Sequence, residues 1–123
     1  MPHLVLEGEV DFEVLVARVT RDAQRWGVAV FKTEELWLRS DGLAALAEGV
    51  VVEHSRPIHP VALISRQRGE TSVRLWRLAA AERTPAVQRW LATLASAAQS
   101  AGCGRVSKTN LSPDVIEGIS LEC

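Results

Sequence analysis

The dipeptide Asp41-Gly42 constrains this chain more than any other feature, because β-rich sequence flanks it on both sides, Val28 to Ser40 before it and Leu43 to His54 after. Asp-Gly suits a type I′ turn, whose twist matches that of paired strands and whose two central residues both need positive φ. One long antiparallel hairpin is therefore expected in the middle of the domain. Leu43 to Glu48 holds three alanines and reads either as the return strand or as a short helix ended by Gly49. The symmetric flanks of the turn favour the strand, and Val50 to His54 is extended in either case.

An amphipathic helix brackets the hairpin at each end. Asp11 is a helix N-cap, after which Phe12, Leu15, Val16, Val19, Ala23 and Trp26 recur at spacings of three and four, and Gly27 is placed to end the helix in a left-handed conformation. Thr84-Pro85 opens the second helix, with Val87, Trp90, Leu91, Leu94, Ala95 and Ala98 on one stripe and Gly102 as terminator. Trp26 and Trp90 on these stripes are core residues.

Further strands follow from period-two alternation. His3 to Val10 places Leu4 and Leu6 on one face and Val5 and Glu7 on the other, and Thr33-Glu34-Glu35 marks a bulge or a tight turn inside the long hairpin. Pro57 and Pro60 enclose a connection. Beyond it, Val61 to Arg66 and Ser72 to Leu78 make a second hairpin around the loop Gln67-Arg68-Gly69-Glu70, with Val73, Leu75 and Arg77 on one face and Arg74, Trp76 and Leu78 on the other. The expected fold is α+β, in the order β-α-β-β-β-β-α. It is an antiparallel meander of about five strands with both helices on one face. Residues 1–102 form this domain. Residues 103–123 keep six aliphatic side chains and are expected to dock on it or on a second subunit, with Ser112-Pro113 starting one helical turn.

With 123 residues the chain is long enough for a core of its own. Fourteen basic against fifteen acidic residues leave a net charge of −1, so no overall field draws it to nucleic acid or anionic lipid. No signal-like or membrane-spanning apolar run is visible, and a cytoplasmic location is expected, with Cys103 and Cys123 as free thiols.

Activity is not legible. No nucleophile elbow, phosphate loop or dinucleotide fingerprint is present, so no catalytic residue is assigned and no cofactor is expected. Glu53, His54 and His59 are weak metal candidates; their spacing is not a metal signature and solvated histidines near a strand end explain them. Arg66 to Arg77 interleaves arginine with Trp76, which suits phosphate contact and base stacking, yet Glu70 and the neutral net charge argue against nucleic acid. Trp37 and Trp76 lie on strands whose exposed face is undetermined, and with Arg74 they are the candidate partner or ligand surface. The chain is expected to be a small soluble interaction module that homodimerises through its sheet face and tail. The alternative is a binder of, or enzyme on, a small hydrophobic ligand held between helices and sheet, an arrangement similar to small folds in which a curved sheet wraps a long C-terminal helix.

Overall fold

In the computed structural model, which describes residues 1–79, 81–119 and 121, the first strand is β1, His3–Glu7, with Leu4 and Leu6 fully buried. Cys123 lies outside the described residues. Helix α1, Phe12–Arg18, begins where the Asp11 carboxylate accepts the N–H groups of Glu13 and Val14, two donors that the first turn would otherwise leave unsatisfied. It stops well short of the predicted Trp26. Val19 is already extended, and the Thr20 hydroxyl accepts the N–H of Asp22 at 3.1 Å, a local bond that competes with continued helix. Gln24–Trp26 is instead a short strand, β2. Gly27, at φ +60°, turns a hairpin into β3, Ala29–Leu38, and ends no helix.

Strand β4, Ala44–Glu53, answers β3 along its whole length, so residues 44–48 are strand. The turn between them is not type I′. Of the Asp41-Gly42 pair only Gly42 has positive φ, and the Arg39 N–H donates to the Ala44 carbonyl at 2.8 Å around a four-residue loop. The Asp41 carboxylate closes that loop by accepting the Leu43 N–H and the Arg39 guanidinium. Two-residue turns with both positions at positive φ occur elsewhere. His54-Ser55, at +50° and +63°, joins β4 to β5, Arg56–Ile58, which fills the connection expected between the prolines. Arg68-Gly69, at +53° and +79°, joins β6, Val61–Gln67, to β7, Glu70–Leu75, in place of the predicted four-residue loop.

One turn of 3-10 helix, Arg77–Ala79, leads towards α2, Pro85–Ser100, capped by the Thr84 hydroxyl. The chain then adds β8, Val106–Thr109, beside β1, and a four-residue helix α3, Pro113–Ile116. All pairings among the described residues are antiparallel, and the curled sheet runs β2-β3-β4-β6-β7-β1-β8, with β5 on β4. Eight described strands replace the expected five. The additions β2, β5 and β8 have three, three and four residues, too few for alternation to reveal. No described helix is long and apolar enough to cross a membrane.

The inner face of the sheet carries Phe31, Ala45, Ala47, Val51, Ala62, Ile64, Val73 and Leu75, which meet Val87, Trp90, Leu91 and Leu94 of α2 in one core with Phe12 and Leu15 of α1. Leu111 and Val115 join that core from beyond residue 102. Trp90 is completely buried. Its ring lies on Gly49, where a Cβ would come within 2.6 Å of it, and its Nε1 donates to the Thr33 hydroxyl at 2.9 Å. Thr33 and Gly49 are cross-strand partners, and the next pair is Glu35 with Glu48, so Glu34 is the extra residue of a β-bulge. The bulge reverses the alternation of β3. Ala29, Phe31 and Thr33 point inward, but Trp37 turns outward opposite Leu46.

Substitution Gly49→Ala is expected to cost about 2 kcal/mol, because the Trp90 ring is completely buried and tied to Thr33 through its Nε1, which leaves it little room to retreat. In a Trp90→Leu background the same change should cost far less. Denaturant unfolding of the four members of this cycle measures the coupling. His54→Asn with Ser55→Gly should raise stability by about 1 kcal/mol in the same assay, since both positions are left-handed and carry residues that resist it.

Candidate functional site

With the helices on the inner face, the outer face of the sheet lies open. Its middle row is fixed by register: Trp37 opposite Leu46, Leu46 opposite Leu63, Leu63 opposite Arg74, and Arg74 opposite His3. Trp76 follows β7 and is anchored by its N–H to the Val61 carbonyl at 2.7 Å. Trp37, Leu46, Leu63 and Trp76, with Leu38 and Ala44, line an apolar depression of about 370 Å³. Trp37 is 60 % exposed. The two tryptophans are thus brought to one face and one depression, and Arg74 stands in the same row.

The surroundings are charged and unevenly so. The Trp37 Nε1 donates to the Glu48 carboxylate, and Glu48 sits directly opposite Glu35, a like-charge pair that Arg21 relieves only at 3.7 Å. At the other end of the row, Arg74 is exposed and has no ion-pair partner among the described residues, while Lys108 lies nearby opposite Val5. On the side of the row away from Glu48, the Ser65 and Ser72 hydroxyls bond each other at 2.8 Å, in a polar depression that Arg68, Glu70 and Arg74 border. At the hairpin tip Arg39 holds the Asp41 carboxyl below the ordinary carboxylate range, with help from the Leu43 N–H.

Leu46 and Leu63 were not singled out from the sequence. Their signal lies in residue size: Ala45, Ala47, Gly49 and Ala62 are the inward residues because α2 sits close above them, which leaves the leucines to the other face.

The remaining candidates are scattered. Glu53 accepts the hydroxyl of Thr84 at 2.7 Å and so supports the start of α2, His54 stands in a turn, and His59 is exposed. No three metal-competent side chains come together among the described residues. Arg66 does not share a surface with Arg68 and Arg74. It turns under the sheet, donates to the Val10 carbonyl at 2.8 Å and lies over Phe12. Trp26 is on strand β2 and not on a helical stripe, where the Arg89 guanidinium covers it at 5.7 Å. Between α1, β2, α2 and residue 119 runs an open groove of about 390 Å³. Its lining is largely polar, with Arg18, Gln24, Thr33, Thr93, Ser96 and Ser100.

Cys103 is buried beside the Gly8 carbonyl, and burial pushes its thiol pKa up, against a smaller opposing effect of Thr71. The folded chain therefore holds this proton where the unfolded chain has released it, so stability present below the ordinary thiol pKa is lost as pH rises past it. Denaturant midpoints at about pH 7 and about pH 10 should fall further in the wild type than in Cys103→Ala.

No family model matches the chain, and no curated protein or solved structure matches it either.

Proposed function

We propose that this chain is a small interaction module that self-associates as a homodimer through the outer face of its sheet. The observation that carries the reading is the contiguous surface of Trp37, Leu46, Leu63 and Trp76 on a face that no described helix covers. A one-sided antiparallel sheet ordinarily turns polar residues to water, whereas here β4 sets Ala45, Ala47, Gly49 and Val51 inward and, apart from Glu48, the apolar Leu46, Val50 and Val52 outward. Trp and Arg flanking an aliphatic centre are the residue types that dominate contact energies. The tail takes part at the margin, where β8 brings Lys108 beside Val5. A second copy presents the same apolar area and therefore suits it without any further component.

The groove between α1 and α2 supports a second reading, a small-ligand site, and its hydroxyl and amide lining suits a polar ligand better than a hydrophobic one. No residue there or elsewhere is assigned a catalytic role.

Sedimentation equilibrium at about 10 to 200 μM distinguishes these readings, a range in which an interface of ordinary size is populated. The wild type should be dimeric. Leu63→Glu should be monomeric with an unchanged circular-dichroism spectrum and a melt that no longer rises with protein concentration, since Leu63 faces away from the core. A monomeric wild type throughout that range overturns self-association.

A further inference from the structure

The geometry points to a dimer whose two-fold axis runs parallel to the strands, between β4 and β6, so that Trp37 of each copy faces Arg74 of the other. This inference rests on the self-association proposed above and adds its arrangement. Two sheets that pack face to face by a two-fold axis need that axis to lie in the plane between them. Along the middle row there are two simple choices.

An axis perpendicular to the strands lays each strand across its own copy. The row Trp37, Leu46, Leu63, Arg74, His3 then stacks residue on like residue, which sets Arg74 against Arg74 and the His3 rings against each other. Like charges at an interface are costly. An axis parallel to the strands keeps the row but exchanges β3 with β7 and β4 with β6. Leu46 then meets Leu63 of the other copy at the centre, twice.

At each flank of that centre, the Arg74 guanidinium comes over the Trp37 indole. That ring is already fixed by its Nε1 bond to Glu48, and Glu35 stands across from Glu48. A cation delivered there meets an aromatic face and two carboxylates that repel each other, with Arg21 only at 3.7 Å from one of them. The one arrangement thus supplies Arg74 with counter-charge and relieves the acidic pair, and symmetry does both twice.

The test is a charge exchange between Arg74→Glu and Glu48→Arg, each at a position exposed in the single chain. Each variant alone should dimerise about 30-fold more weakly than the wild type in sedimentation equilibrium, from two lost contacts per dimer. An equimolar mixture of the two should recover most of that loss as a heterodimer. At one flank the carboxylate introduced at position 74 meets the guanidinium introduced at position 48, and at the other the unchanged Arg74 and Glu48 meet as in the wild type. Arg74→Glu mixed with wild type should bind more weakly than wild type with itself. The perpendicular axis requires the reverse, since the introduced carboxylate would then face Arg74 of the wild-type chain. A stronger mixed pair, or no recovery in the exchange mixture, overturns the parallel axis, while loss of the dimer in Leu63→Glu alone keeps self-association standing. Circular dichroism of both variants confirms that the fold is intact, and Arg74→Ala, which adds no charge, should show a smaller loss in the same direction.

Discussion

The seat of Trp90 on Gly49 is the contact on which the rest of this structure depends. The largest buried side chain of the longest helix enters the sheet at the one position of β4 that has no side chain, and its only polar atom finds the Thr33 hydroxyl on the neighbouring strand. A buried indole N–H without such a partner costs about 1 to 3 kcal/mol, so ring position and strand register select each other. The strip of small residues, Ala45, Ala47, Gly49 and Ala62, follows from the closeness that this contact imposes. Sheet and helix then share one core, and larger side chains of the same strands have only the opposite face to occupy.

A second constraint holds the far corner. The Thr71 hydroxyl, fully buried, accepts the Val10 N–H and donates to the Gly8 carbonyl, while the Gly8 N–H bonds the Gly69 carbonyl and the Asp11 N–H bonds the Ala101 carbonyl. These bonds satisfy the backbone where β1 gives way to α1, a place with no secondary structure of its own. They also explain why Arg66, which belongs by sequence to a basic hairpin, turns inward to the Val10 carbonyl. Charge on a strand reports a surface only when its backbone neighbours do not need the donor.

The long elements were legible because each repeated its pattern several times. The caps at Asp11 and Thr84, the stripe of α2 and the β3–β4 hairpin all follow from local chemistry in the sequence. What was not legible depended on single residues. Trp26 fits a helical stripe as well as it fits an edge strand, and only the turn at Gly27 decides. Asp41-Gly42 has the composition of a mirror-image turn, yet the Asp41 carboxylate gains more by accepting from Leu43 and Arg39 than by entering a left-handed conformation. His54-Ser55 adopts such a conformation against composition, held by the register on both sides. The candidate surface was half legible. Trp37, Trp76 and Arg74 stood out by residue type, but Leu46 and Leu63 look like core residues until the helix above their neighbours is known.

The bulge at Glu34 divides β3 into two segments that drift under different rules. Residues 29–33 answer to Trp90 and the helix, whereas beyond the bulge Glu35 and Trp37 answer to whatever meets the open face and Leu36 to the core. Point changes in either segment stay within it. Loss of the single bulged residue does not, because it exchanges the faces of the second segment in one step, Glu35 and Trp37 to the interior and Leu36 to the open side. Lineages descended from this chain should therefore vary in the identity of residue 34 and hardly ever in its presence, a constraint on length that no conserved side chain would reveal.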